Sequence, residues 1–173
     1  MDVLLMVAQA LWFIWPAYCA NAFPPVVKGK RPVDFGKHFG KNRLLGDGKT
    51  IEGSIAGIIF GVVIGLVMME IYKLIPAEYG VYPFTLQILF LLSFGAIFGD
   101  MAGSFVKRRL GLKRGDPATL LDQLGFLVFA IAFAGAMHLI DIYSFIILLV
   151  LTPPIHIAAN AFGYVIRLKK NPW

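Results

Sequence analysis

The sequence predicts an all-α integral membrane protein with about five transmembrane helices. Three observations carry that prediction. Of the 173 residues, 58% are apolar and 15% charged, whereas a soluble domain carries about 25% charged residues. The apolar residues fall into runs close to the ~20 that a helix needs to cross a bilayer. The cations lie almost entirely on one side of those runs. Mean hydropathy is +0.76.

The first run, residues 3–20, has Asp2 as its only flanking charge. No basic segment precedes it and no small-residue cleavage site follows, so a retained helix is expected rather than a signal peptide. Further runs cover residues 54–72, 84–106 and 119–139. The fifth, 142–168, carries Pro153-Pro154 in its middle and is expected to kink or break there. The connections alternate: 21–53 and 107–118 are long, 75–83 is short, and 140–141 is barely a turn. The whole chain, 1–173, reads as a single transmembrane domain.

Basic residues set the orientation. Seven lie between the first two runs, from Lys28 to Lys49; five lie between Lys107 and Arg114; and Arg167, Lys169 and Lys170 follow the fifth run. Only Lys73, of sixteen Lys and Arg, falls on the other side. The N-terminus is therefore predicted outside and the C-terminus in the cytoplasm, with two long cytoplasmic loops that carry the chemistry. Glu70, Glu78 and Asp141 belong to the outer ends. The single cysteine, Cys19, excludes an internal disulfide and a cysteine-based metal cluster.

Two glycine stripes predict close helix packing. Gly53, Gly57, Gly61 and Gly65 recur every fourth residue in the second run, and Gly95, Gly99 and Gly103 do so in the third. If these two helices pack tightly on each other, they hold the two cytoplasmic loops in fixed relation.

The chemistry concentrates after Gly99. Asp100 is a carboxylate inside an apolar helix, which is costly and usually functional. Ser104, Lys107, Arg108 and Gly111 share its helical face. Asp116 and Asp122 follow across the loop. Carboxylates beside a basic cluster suit Mg²⁺ shared between protein oxygens and substrate phosphates. Other readings stay open. Asp116 before Pro117 fits an N-cap with Pro at the first helical position. Residues 107–109 fit lipid-headgroup anchors, and Asp100 and Asp122 fit structural ion pairs.

The first loop holds Asp34-Phe35-Gly36-Lys37, then a run from Lys41 to Gly53 with Arg43, Gly46, Lys49 and Thr50. It is no P-loop, because that motif needs glycine where Arg43 stands and a strand before it. Its glycines and cations can still cradle phosphates, or simply form a solvated basic loop. In the fifth run His156, Asn160 and Tyr164 align on one face and must meet other helices or a polar cavity. Asn21, with Pro24-Pro25, gives the first helix a polar exit. His38 and His138 carry no metal-ligand spacing.

The run Gly99-Asp100-x3-Ser104-x2-Lys107-Arg108, with Asp116 and Asp122 after it, resembles the signature of the CTP-dependent phosphatidate cytidylyltransferases. The His-Gly-Gly stretch and the Arg after the second aspartate of that signature are absent here. Asn21-x2-Pro24, the Leu45 to Thr50 loop, Pro154-x-His156-x3-Asn160 and the terminal Pro172-Trp173 are similar to the archaeal CDP-archaeol synthases, over nearly the whole length.

That resemblance implies transfer of the cytidylyl group of CTP to 2,3-bis-O-geranylgeranyl-sn-glycerol 1-phosphate, with pyrophosphate released at the cytoplasmic face of the cell membrane. It implies Mg²⁺ at Asp100, Asp116 and Asp122, phosphate contacts from Lys107, Arg108, Lys113 and Arg114, and a phosphate positioned by Ser104. Lys41, Arg43, Gly46, Lys49 and Thr50, together with Asn21, His156 and Asn160, would bind CTP or its phosphates. Membrane lipids are the surroundings, a homodimer is an allowed arrangement, and nucleic acid is not a partner. The alternatives are an ester phosphatidate as acceptor, or a small transporter. A transporter predicts polar groups through the full membrane depth and an internal repeat, neither of which occurs here. A CDP-alcohol phosphotransferase needs two aspartates three apart in one helix, and no such run occurs.

Overall fold

Asp2 accepts the Leu4 N–H at 2.9 Å and starts α1, Val3–Ala22, which runs through Pro16. Pro24-Pro25 then opens a single turn, α2, Pro24–Val27; proline suits the first helical position because no N–H is needed there. The computed structural model describes residues 2–113, 116 and 118–169.

A two-stranded antiparallel hairpin follows, β1 His38–Phe39 and β2 Asn42–Arg43, pairing His38 with Arg43. Thr50 caps α3, Ile51–Tyr72, by accepting the Gly53 N–H at 3.2 Å. A 3₁₀ turn, Ala77–Tyr79, leads to α4, Leu86–Arg109, capped by Thr85. The chain closes with α5, Thr119–Ala134, and α6, Ile142–Val165, whose cap Asp141 accepts the N–H groups of Tyr143 and Ser144 at 2.9 and 3.0 Å.

Four segments are long and apolar enough to cross a bilayer: Val3–Val27, Ile51–Tyr72, Leu86–Arg109 and Ile142–Val165. The all-α membrane architecture is as predicted, with two differences in its elements. At 16 residues α5 stops five short of the predicted 139. Gly135 ends it, and Met137 and His138 turn back onto the Ala134 carbonyl, both at 2.9 Å. Of the expected kink or break in α6, the break is absent, because the helix runs continuously through Pro153-Pro154. Just before the prolines, Thr152 donates to the Leu148 carbonyl at 2.6 Å and meets the Tyr18 hydroxyl at 2.7 Å, which ties α6 to α1.

Phe13, Ile14, Leu89, Leu92, Leu127 and Leu148 form the buried centre. Ile55, Ile59, Val63 and Val67 stay exposed along α3, as on a helix whose outer face is solvated by lipid.

The glycine stripes do not face each other. On α3, a β-carbon at Gly61 would stand 2.7 Å from the Pro16 carbonyl oxygen of α1, and one at Gly65 would strike Leu89 of α4. On α4, a β-carbon at Gly99 would stand 2.5 Å from the Gly125 carbonyl oxygen and 2.8 Å from the Phe126 Cα, both in α5. The α3 stripe thus seats α1 and α4 together, while the α4 stripe belongs to α5. Packing at backbone range fixes the ends of α4 and α5, where the polar residues lie.

Candidate active site

The end of α4 and the start of α5 share a lysine–carboxylate pair. Asp122 stands in the first turn of α5, where a negative charge suits the helix N-terminus. It accepts the Ala118 N–H at 3.1 Å and takes Lys107 Nζ at 2.9 and 3.0 Å on its two oxygens. The Lys107 side chain is nearly buried, whereas Asp122 keeps about a third of its surface open. Two turns before Lys107, Asp100 receives the ammonium of Lys49 from the first loop. Each carboxylate therefore faces a cation from another part of the chain, and both remain partly open to solvent.

Asp34 folds the first loop. Buried at 5% exposure, it accepts the N–H groups of Gly36, Leu45 and Gly46 at 3.1, 3.0 and 2.9 Å and pairs with Arg43 at 2.7 Å. Burial alone would raise its carboxyl, but the Arg43 guanidinium and these N–H groups together hold it well below the ordinary 3.8. Gly46 has φ +94° and a β-carbon there would meet Arg108 Nε at 3.3 Å, so both conformation and space require glycine.

Arg108 and Arg109 fasten this loop to the end of α4. Arg108 Nε donates to the Leu45 carbonyl at 3.3 Å, and its other arm donates to the Leu112 carbonyl. Arg109 donates to the carbonyls of Phe39 and Arg43 at 3.2 and 2.5 Å and stacks on Phe105 and Phe39, 4.6 and 5.1 Å from their centroids. Asn42 returns a bond to the Arg108 carbonyl at 2.9 Å.

Beside the carboxylates, a pocket of about 270 Å³ opens between α1, α5 and α6. Asn21, His156, Asn160 and Lys169 are among its lining residues. Asn160 Nδ2 lies 3.2 Å from His156 Nδ1, and Lys169 donates to Asn160 Oδ1.

A family model described as CarS-like: CDP-archaeol synthase matches residues 2–173. The chain belongs to the CDP-archaeol synthase family. The CDP-archaeol synthase of Thermococcus gammatolerans is 47% identical across 100% of both chains, and that of Methanococcus maripaludis 43% across 100% of both. A solved structure described as an intramembrane enzyme for archaeal membrane lipids biosynthesis matches with TM-score 0.78 and 39% identity, covering 89% of this chain and 94% of its own. The protein is thus an integral-membrane enzyme, a transferase that carries out cytidylyl transfer in archaeal lipid biosynthesis.

Within this CDP-archaeol synthase fold, the sequence-predicted residues separate into groups. Asp100, Asp122, Lys49 and Lys107 come together as two ion pairs. Ser104 lies half-buried one turn beyond Asp100. Asn21, His156 and Asn160 share the pocket. Thr50 spends its hydroxyl on the α3 cap, Arg43 on Asp34 and Asp47, and Arg108 on backbone carbonyls. Lys41 is exposed at the hairpin turn, as is Lys113 beyond α4.

Asp116 accepts the Lys113 N–H at 2.6 Å instead of capping α5; the cap position is Ala118, which makes no side-chain bond. Among the described residues, no three carboxylate, imidazole or thiol groups converge on one point, so Asp116 is not gathered with Asp100 and Asp122. Arg114, Pro117 and Pro172-Trp173 lie outside the described residues. Sequence reasoning named Asp34 in the first-loop run but gave it no role, although Asp-x-Gly is a local turn signal. It also counted Lys169 only as a flanking charge.

Proposed function

We propose that the enzyme joins CTP to 2,3-bis-O-geranylgeranyl-sn-glycerol 1-phosphate, giving the CDP-activated ether lipid and pyrophosphate, with its site on the cytoplasmic face. The observation that carries this reading is the pair of carboxylates, Asp100 and Asp122, each about one-third open and matched by a lysine from a different segment. Lysines that neutralise a carboxylate in the free enzyme can turn to a phosphate oxygen when substrate enters. Phosphoryl-group transfer asks the protein for little beyond such positioning and charge neutralisation.

An oxygen of the lipid phosphate attacks the α-phosphorus of CTP. A P–O bond forms there, the bond to the bridging oxygen of the β-phosphate breaks, and that oxygen keeps the electron pair as pyrophosphate departs. A phosphate monoester is largely ionised near pH 7, with a second pKa of about 6, so no side chain has to remove a proton. Lys49 and Lys107 hold the phosphate charge, Ser104 positions one oxygen, and the loop folded on Asp34 presents Lys49.

Two open carboxylates suit Mg²⁺, which takes few protein ligands and completes its shell with water and phosphate. Asp100 and Asp122 would hold it, and it would supply further neutralisation of the phosphates. The fifteen cations on one side of the apolar runs support the cytoplasmic orientation.

The test is purified enzyme in detergent with Mg²⁺, labelled CTP and either the ether-lipid phosphate or an ester phosphatidate. The reading expects labelled CDP-lipid with equimolar pyrophosphate, and faster turnover of the ether lipid. CDP-lipid from the ester alone would overturn the acceptor assignment, and no CDP-lipid from either would overturn the reaction.

A further inference from the structure

The C-terminal end of α6 does more than leave the membrane. After Val165 the chain reverses: Arg167 takes φ +60°, and the N–H groups of Leu168 and Lys169 both return to the Gly163 carbonyl, at 2.9 and 3.1 Å. This is a left-handed helix ending, and its effect is to fold Lys169 back along α6. The Lys169 stem lies over Gly163, where a β-carbon would meet its Cγ at 3.5 Å. The ammonium arrives in the pocket and donates to Asn160, itself 5% exposed.

An ammonium carries three N–H donors. Asn160 accepts one, and among the described residues no carboxylate lies within ion-pair distance of Lys169. Burial, helped by the nearby charge of Lys49, draws the Lys169 ammonium below its ordinary value, while Asp100 and Asp122 counter this by favouring the charge. The group thus sits within electrostatic reach of both carboxylates.

The rest of the pocket is mainly apolar, with Ile155 and Phe162 in its wall. Phe162 is 65% exposed, so part of the pocket's apolar wall reaches the outer surface of α6. A triphosphate would need several cations, whereas one ammonium with apolar walls matches a single phosphate on an alkyl chain.

Resting on the reaction proposed above, we infer that this pocket is the subsite for the acceptor lipid, with Lys169 binding its phosphate and Asn160 positioning Lys169. The lipid then enters from the bilayer beside α6, and CTP comes from the loop side. The two substrates meet at Asp100 and Asp122.

The test uses Lys169→Met, which keeps the stem and removes the charge, and Lys169→Arg, which restores a charge. Binding of a short-chain dialkylglycerol phosphate and of CTP with Mg²⁺ is measured separately by calorimetry in detergent, alongside the KM for each. Loss of a charge-assisted contact predicts roughly tenfold or greater weakening for the lipid phosphate in Lys169→Met. CTP binding should stay within about twofold and Lys169→Arg should recover most of the loss. Unchanged lipid binding, or a loss confined to CTP or shared equally, would overturn the assignment. Wild-type enzyme that binds the lipid phosphate through Lys169 yet forms no CDP-lipid would leave the subsite standing and remove the reaction. CDP-lipid formation with unaltered Lys169→Met kinetics would do the reverse.

Discussion

Lys49, from the loop after α2, and Asp100, two turns before Lys107 in α4, form an ion pair that joins two segments 51 residues apart in sequence. A second pair, Lys107 with Asp122, joins α4 to α5 at 2.9 Å. Between them the two pairs place two anions and two cations at one end of the bundle.

Lys49→Met should leave the fold intact, because the two side chains are 24% and 30% exposed and a pair open to solvent contributes about 1 kcal/mol. Its effect should appear in substrate binding. KM for CTP should rise roughly tenfold, as expected when a charge-assisted phosphate contact is lost, and the melting temperature should barely move. Steady-state kinetics with a thermal melt checks both.

Gly99→Ala tests the α4–α5 contact. Its β-carbon would lie 2.5 Å from the Gly125 carbonyl oxygen and 2.8 Å from backbone Cα of Phe126, and neither atom can swing aside. The helices must part, at a cost of about 1–3 kcal/mol, and Lys107 should lose its register with Asp122. At Gly103 the nearest atom is 3.3 Å away, so Gly103→Ala should be milder. Thermal melts in detergent should rank Gly99→Ala well below Gly103→Ala.

The first loop should loosen in acid. The Asp34 carboxyl is depressed in the folded protein relative to its ordinary 3.8. It therefore contributes stability that is fully present above about pH 4 and is lost as pH falls toward the depressed native value. Limited proteolysis of residues 28–50 should accelerate below that pH in the wild type. In Asp34→Asn the loop should already be cleaved rapidly at neutral pH, and the acid dependence should flatten.

Much of this architecture was legible in the sequence, for a physical reason. A bilayer forces apolar runs of fixed length, and all five long helices were visible as such runs, four of them long enough to cross. The end of α5 was not, because residues 136–140 continue the apolar run while Gly135 stops the helix. The glycine stripes announced close packing but not the partners, which depend on how the helices are arranged around one another. Asp100 and Asp122 stood out because carboxylates are expensive near an apolar helix. Asp34 did not, because three of its partners lie nine to twelve residues away. Lys169 looked like one more interfacial cation until the reversal at Arg167 brought it into the pocket.

Removal of divalent metal should stop the reaction without unfolding the protein. Excess EDTA should abolish CDP-lipid formation, added Mg²⁺ should restore it, and the far-UV spectrum should not change. Persistent turnover in EDTA would remove the metal assignment.

The central claim is that Asp100 and Asp122 form the anionic half of the transfer site. It is tested most directly by pyrophosphate release from saturating CTP and lipid phosphate, comparing wild type with Asp100→Asn and Asp122→Asn at matched folded concentrations. Each variant should lose at least about a hundredfold in kcat, the scale seen when one preorganised electrostatic contact is removed. Wild-type turnover in either variant would contradict the account.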